Sequence, residues 1–287
     1  MGLFYFRFIL LIPLFFLFVG VTANATTTAP EAAAPTPPTG TQVDFQGIID
    51  KAMSIYVPHM AKQNVELRFV QEHQHMILAY VKREDETHAK LVVDDGYYTN
   101  PKVSEDGFRF VICHELGHIA ASAPHMEAPA MYDGIVDERG DLLISAEGQA
   151  DYFSAAKCMR EVLADQDNLA YVRTYDAHPT ATAKCDRVYP NEEESALCQR
   201  IMMAGKNFLD SFARSFPNSF DSFDPAEPPY SLLGEHPGAQ CRLDTIVAGA
   251  LCPIDQNAPV DPYDPMVGAC SSTHFPEGAR PRCWFKE

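Results

Sequence analysis

Residues 111–121 have the sequence VICHELGHIAA, an apolar run that contains three ionisable side chains. Burying such groups is costly unless each one has a partner. The uncharged flanks therefore predict a buried helix whose His114, Glu115 and His118 meet partners elsewhere in the chain. On a helix, residues four apart lie on one face. His114 and His118 can then direct both imidazoles at one ion, which is the H-E-x-x-H arrangement of zinc sites with the glutamate as general base.

A catalytic zinc ion requires a third protein ligand and an open position for water. The best candidate is Glu147, in the stretch EGQAD on a second predicted helix at about 143–163. Asp151 shares the Glu147 face of that helix. The Asp151 carboxylate can accept a hydrogen bond from a ligand histidine, which fixes the ring and strengthens the ligand. The alternative is a pair of satisfied core histidines and an ordinary surface acid pair, with no metal.

Three motifs taken together resemble those of the gluzincin zinc metallopeptidases. They are H-E-L-G-H at 114–118, E-G-Q-A-D at 147–151 and H-P-G-A-Q-C-R at 236–242. The combination resembles the family that includes the CAAX prenyl proteases and the bacterial heat-shock membrane protease. The chain differs from the prenyl proteases in having many cysteines and no series of long apolar segments.

The resemblance implies a role for each matched residue. His114, His118 and Glu147 would bind one catalytic Zn2+ ion. Glu115 would be the catalytic base that activates the attacking water. Asp151 would orient His114.

The H-P segment supplies two further candidates. His236 is a candidate catalytic residue that would contact the substrate or the oxygen of the transition state. Arg242 would brace the segment or pair with a carboxylate. Tyr152, on the second predicted helix, is an alternative donor to that oxygen, and the sequence leaves the choice between Tyr152 and His236 open.

Hydrophobic periodicity predicts an α+β fold with a small antiparallel sheet, an active-site helix, a second ligand helix and a loop-rich C-terminal part braced by disulfides. The resemblance makes this a zincin-like metallopeptidase domain. The predicted strands are 66–72, 75–82 and 89–99. The predicted helices are 43–63 with an interruption near Pro58, 104–121 with Ser104 or Asp106 as its cap, 143–163, 194–215 and 240–251.

The N-terminal segment has one arginine, a long apolar core and the sequence Ala-Asn-Ala, which predicts a secretory signal peptide over 1–25. An uncleaved membrane anchor is the alternative, because the run approaches the ~18–20 residues that span a bilayer. Residues 26–42, rich in Thr, Ala and Pro, predict a flexible linker. Residues 43–287 predict a single domain. We therefore expect an exported protein, periplasmic or secreted, with no stable membrane insertion after signal cleavage.

The chain contains eight cysteines and has a formal net charge of −17. An even number of cysteines in an exported chain predicts up to four disulfides, and a bridge between Cys113 and Cys158 would join the two predicted ligand helices. Nucleic acids and anionic membranes bind proteins through basic patches, so the acidic balance excludes both as expected partners. The oligomeric state cannot be predicted from these patterns.

Together the patterns predict a zinc-dependent metalloendopeptidase with a protein or peptide substrate. The strand at 89–99 is expected to pair with an extended substrate by edge addition. The acidic loop 128–141 is expected to be a solvated linker or a lid. Two alternatives stay open: a zinc hydrolase acting on a non-protein amide such as peptidoglycan, and a catalytically silent binding protein that contains zinc.

Overall fold

The structure, a computed structural model, describes residues 44–127, 135–136, 140, 142–211, 217–234 and 236–287. These residues belong to one compact unit. The predicted signal peptide and linker lie outside them, as do most residues of the acidic loop. Within the described ranges no helix is both long enough and apolar enough to cross a bilayer.

Helix α2 (Glu105–Ala120) carries the H-E-x-x-H motif through the hydrophobic core. Ser104 caps the helix by accepting a hydrogen bond from the Gly107 amide over 3.0 Å. Acidic residues in the first turn suit the positive end of the helix dipole. Apart from Glu115, every residue in the second half of the helix is buried. The predicted helix and its cap are confirmed.

The sheet has three strands, β1 (Glu66–Glu72), β2 (Ala79–Arg83) and β3 (His88–Asp94), in the order β1-β3-β2. β3 pairs in parallel with β1 and antiparallel with β2. The predicted antiparallel meander is therefore wrong, because the sheet is mixed and β2 lies at an edge. β3 takes the centre because its C-terminal half is buried, whereas β2 is only partly buried.

A fully buried carboxylate holds the turn between β1 and β2. Asp94 accepts hydrogen bonds from the amides of Gln74 over 2.8 Å and Met76 over 2.6 Å. A third bond comes from the Gly96 amide over 3.1 Å. A Cβ at Gly96 would lie 2.2 Å from the Met76 carbonyl oxygen, so this close approach requires glycine. These bonds hold the residues before β2 in a turn. The strand therefore begins at Ala79 and not, as predicted, at residue 75.

The helix that carries the candidate ligand Glu147 begins at that residue. α3 (Glu147–Phe153) continues through a π turn (Ser154–Cys158) into α4 (Met159–Val162). The residues before α3 are extended instead of helical, and the Met126 amide donates to the Ile144 carbonyl oxygen over 2.8 Å. This short pairing, called the Met126–Ile144 ribbon below, accounts for the later start of the helix.

The other helices complete the α+β fold. α1 (Phe45–Ala61) passes through Pro58 without the predicted interruption. α7 (Glu192–Ser211) and α8 (Ala239–Leu251) lie where helices were predicted, and they pack against each other. Two helices that the sequence patterns did not predict are α5 (Asn168–Thr174) and α6 (Pro179–Val188).

All eight cysteines form disulfides. The bridge between Cys113 and Cys158 joins α2 to the π turn, which confirms the predicted pairing. The other three bridges are Cys185–Cys198, Cys241–Cys283 and Cys252–Cys270. Two of them anchor the loop-rich C-terminal segment, residues 252–287. Four disulfides are typical of a chain that folds in an oxidising compartment outside the cytosol.

The C-terminal segment packs against α3. Trp284 is fully buried and lies so close to Gly148 that a Cβ there would come within 2.4 Å of the indole. The Tyr152 hydroxyl donates a hydrogen bond to the Gly278 carbonyl oxygen over 2.7 Å. The segment therefore fixes the position of the helix that carries Glu147.

We expect Trp284→Ala to lower the free energy of unfolding by about 3–5 kcal/mol, because it leaves a cavity beside α3. The matched control is Phe275→Ala, an aromatic residue of the same segment that is 43% exposed. This control should change stability by no more than about 0.5 kcal/mol. Guanidinium unfolding with the disulfides kept oxidised measures both values. Equal effects would show that the segment does not depend on the buried indole.

Candidate metal centre

Three buried side chains converge where α2 meets α3. One ligand atom from each of His114, His118 and Glu147 lies within 4.8 Å of the others. His114 Nε2 is 3.3 Å from Glu147 Oε2, and His118 Nε2 is 3.5 Å from Glu147 Oε1. The predicted convergence is therefore present, and this group can hold a metal ion.

The rear nitrogen of each imidazole lies close to an oxygen atom. His118 Nδ1 donates to the Ser145 carbonyl oxygen over 2.8 Å. His114 Nδ1 lies 2.9 Å from Asp151 Oδ1. Each ring therefore turns its Nε2 toward Glu147, which is how a ligand histidine is oriented in metal sites.

Asp151 is itself held by a bidentate ion pair with α8. Arg242 Nε donates to Asp151 Oδ2 over 2.7 Å, and Arg242 Nη2 donates to Oδ1 over 2.8 Å. Burial opposes ionisation of Asp151, but Arg242 outweighs it and holds the pKa of this carboxyl below its usual range. Of the two roles predicted for Arg242, the structure shows pairing with a carboxylate. The contacts among Arg242, Asp151 and His114 thus connect α8, α3 and α2.

The electrostatics of the cluster favour a positive charge at the imidazole pair. Burial alone would lower the pKa of His114, but Asp151 and Glu147 raise it to about 10. Burial and the neighbouring His114 lower the pKa of His118 to about 4. Burial disfavours the Glu147 anion, yet His114 and His236 hold the pKa of this carboxyl well below its usual range. A metal cation would supply the charge that a proton on His114 otherwise provides.

One atom in particular tests whether a cation fits. Glu147 Oε2 is buried and has no hydrogen-bond partner among the described residues. Such an acceptor is costly to bury, and a cation between it and the two imidazoles would satisfy it. Two imidazoles and one carboxylate also form a donor set that suits zinc and other divalent transition metals. The residues present therefore fit a metal ion.

Glu115 lies on α2 beside the ligands, half-buried. Burial raises the pKa of its carboxyl to about 7, with His114 opposing and Glu147 adding to the effect. The main-chain amide of Val81 in β2 also interacts with this carboxyl. A carboxyl group with a pKa near neutrality can both accept and return a proton.

A cleft of about 360 Å³ opens beside His114, His118 and Glu147. β2 and the turn before it form one part of its wall, and the Met126–Ile144 ribbon forms another. Seven of the fifteen residues that line the cleft are apolar, so the cleft can accept apolar groups of a bound ligand. The apolar lining residues are Ile77, Leu78, Ala79, Val81, Met126, Ile144 and Phe208.

β2 turns one main-chain edge toward the cleft. In an antiparallel pair, alternate residues bond the partner strand. The Leu78 carbonyl oxygen accepts a hydrogen bond from the Asp94 amide over 2.8 Å. The main-chain groups of even-numbered residues in β2 therefore bond to β3. Those of odd-numbered residues, such as Val81, face away from β3. The prediction that the strand at 89–99 pairs with substrate is therefore wrong, because β3 already pairs on both sides. β2 is the strand beside the cleft that can accept another strand.

The H-P segment reaches the same centre. His236 Nε2 lies 3.0 Å from Glu147 Oε1, and its side chain is 70% exposed. The predicted alternative, Tyr152, is engaged elsewhere: its hydroxyl donates to Gly278 and accepts from the Cys270 amide over 3.0 Å. Of these two candidates, His236 is the one that lines the cleft.

Sequence patterns did not identify two residues that contact the site, Ser145 and Phe208. Ser145 acts through a main-chain carbonyl, which every residue possesses. Phe208 of α7 packs beside His114 with ring centroids 5.2 Å apart, and the Arg242 guanidinium lies 5.1 Å from the same ring. The apolar face of α7 predicts that Phe208 is buried, but not that it lies beside the imidazole.

No protein-family model matches the chain, and neither the curated proteins nor the solved structures contain a match. The functional assignment therefore depends on the geometry of the site.

We expect the wild-type protein to bind one Zn2+ ion per chain and Glu147→Ala to lose most of that affinity, because a ligand is removed. The matched control is Glu227→Ala, which removes a carboxylate that is 57% exposed on the surface. Competition with a chromophoric chelator measures both affinities. Wild-type affinity in Glu147→Ala would exclude Glu147 as a ligand.

Arg242→Leu should weaken zinc binding by roughly 10–100-fold, because Asp151 loses its cation and no longer fixes His114. Arg282→Leu is the control, since this arginine pairs with Glu227 at the surface and is 67% exposed. The same competition assay applies. If both arginine variants bind zinc equally well, the ion pair with Asp151 has no effect on the ligand.

Proposed function

We propose that the protein is a zinc-dependent metalloendopeptidase with a gluzincin-type site in a zincin-like domain. The observation that carries this proposal is the convergence of His114, His118 and Glu147, with Glu115 beside them at an open cleft. A structural zinc site closes its coordination with protein ligands, whereas a catalytic one keeps a position open. Three protein ligands and an adjacent carboxylate match the catalytic type.

The position of each residue in the site indicates its role in the proposed reaction. A zinc ion in this site would lower the pKa of a coordinated water toward about 7 and polarise the scissile carbonyl. Glu115 accepts the proton of the attacking water and returns it to the leaving amine. Asp151 and the Ser145 carbonyl keep the two imidazoles in their ligand orientation. Arg242 keeps Asp151 ionised.

The shape of the cleft supports an extended peptide as substrate. β2 offers main-chain groups along the cleft, and a peptide strand can add to such an edge. Apolar lining residues on both walls suit amino-acid side chains better than the hydroxyl-rich surface of a sugar polymer. We propose β2 as the strand that pairs with the substrate.

The four disulfides suit an enzyme that works outside the cytosol. We propose that the N-terminal apolar segment is a signal peptide and that the enzyme is periplasmic or secreted. Its partner is a protein or peptide substrate, and neither nucleic acid nor a membrane surface is needed for its activity.

Glu115→Gln should reduce kcat/KM for an unstructured protein or a quenched fluorescent peptide by about 10²–10⁴-fold, the usual contribution of a general base. Zinc content should not change, because Glu115 is not a ligand. Glu105→Gln, at the exposed start of the same helix, is the control and should keep wild-type activity.

The assay is run on casein and on peptidoglycan side by side, with zinc measured in every sample. Full activity of Glu115→Gln at equal zinc content would exclude Glu115 as the base. Turnover of peptidoglycan alone would replace the endopeptidase proposal with a zinc amidase. Zinc binding with turnover of neither substrate would indicate a silent binding protein.

A further inference from the structure

A tyrosine lines the cleft without a role in holding the metal ligands. Tyr97 lies in the 3-10 turn (Asp95–Thr99) that directly follows β3, and its side chain is 3% exposed. The ring packs against Phe108 of α2 with centroids 5.9 Å apart. The cleft brings it together with Glu115 and Arg242. The fold therefore holds this phenol in a fixed place beside the general base.

The Tyr97 hydroxyl has no hydrogen-bond partner among the described residues. Burial raises its pKa, with Glu115 adding to this effect and Arg242 opposing it. The phenol therefore keeps its proton at neutral pH and acts as a donor. The Tyr97 hydroxyl is not one of the fully buried unpaired atoms of the described residues, and the residue lines the cleft. A ligand in the cleft can provide an acceptor.

Two other tyrosines lie nearby, and each lacks one feature of Tyr97. Tyr80, on the same cleft wall, donates its hydroxyl to Glu72 Oε1 over 3.1 Å. Tyr98, the next residue after Tyr97, also has a hydroxyl without a partner in the described part of the chain, but it is buried outside the cleft lining, where its ring stacks on Phe45 with centroids 4.8 Å apart. Tyr97 combines a place in the cleft with a donor that has no partner. Tyr98 supplies a matched control.

We propose that Tyr97 is a catalytic residue whose hydroxyl donates a hydrogen bond to the carbonyl oxygen of the scissile peptide bond as that oxygen gains negative charge. This inference rests on the proposed peptidase function. The phenol keeps its proton throughout, so the step adds a hydrogen bond and transfers no atom. Donors of this kind act in the transition state more than in the ground state, so the loss falls mainly on kcat.

The test compares Tyr97→Phe with Tyr98→Phe in the full-length, zinc-loaded protein. Each variant removes one hydroxyl and keeps its ring, so thermal unfolding and zinc content should match those of the wild type. Tyr97→Phe should lower kcat by about 10²–10³-fold with little change in KM, as loss of an oxyanion donor does. The control variant Tyr98→Phe should keep kcat within about threefold of the wild type, because Tyr98 does not line the cleft.

A second readout separates catalysis from structure. Binding of a phosphinic peptide, whose tetrahedral phosphorus carries the charge of the transition state, is measured by calorimetry. Tyr97→Phe should weaken this binding by a factor similar to its loss in kcat, while binding of a cleaved product peptide changes little. A structural role would weaken both ligands alike.

The outcomes are distinguishable. An active wild type with unchanged kcat in Tyr97→Phe overturns this inference and leaves the proposed function standing. Equal losses in Tyr97→Phe and Tyr98→Phe also overturn it. A zinc-loaded wild type that hydrolyses no peptide overturns the proposed function, and the role of Tyr97 with it.

Discussion

Two carboxylates, Glu147 and Asp151, are buried one helical turn apart on the same helix, and the site depends on how their charge is balanced. Burial of an ionised carboxylate is unfavourable unless a cation lies nearby. Arg242 balances Asp151 through two hydrogen bonds. Glu147 instead faces His114 and His118, which carry a charge only when they are protonated. The remaining charge can be balanced by a proton or, with better geometry, by a divalent ion.

Covalent and packing contacts hold in place the two helices that carry this cluster. The Cys113–Cys158 bridge ties α2 to the turn that follows α3, so the two ligand helices share a covalent link. On the other side of α3, Trp284 occupies the space above Gly148, and two disulfides anchor the C-terminal segment. A site built on fixed helices holds its ligands more accurately than one built on loops. The loop-rich C-terminal part thus contributes to the site without touching the ligands.

Local patterns predicted most of the ligand cluster, because residues four apart on a helix must share a face whatever the tertiary fold. The prediction for His114 and His118 used only this rule. The prediction for Glu147 and Asp151 applied it to a second helix. Strand order did not follow from local patterns, because the pairing of β3 with β1 depends on which strand the core buries most deeply. The prediction put the substrate on β3 for the same reason, whereas β2 is the edge strand beside the cleft.

Side chains that act through tertiary contacts were also missed. Tyr97 belongs to the run DDGYYT, where two adjacent tyrosines give no sign of which one faces the cleft. Ser145 contributes a carbonyl oxygen, so its identity carries no signal. Phe208 is one of 18 phenylalanines, and only the packing of α7 against α2 places it beside His114. In each case the long-range packing of the chain decides the contact.

X-ray absorption at the zinc edge of the zinc-loaded, oxidised protein tests the central claim most directly. Two imidazole nitrogens at about 2.0–2.1 Å, one carboxylate oxygen at about 2.0–2.2 Å and one further oxygen from solvent are expected. Sulfur at about 2.3 Å, or a shell without imidazole, would place the ion elsewhere and contradict the assignment.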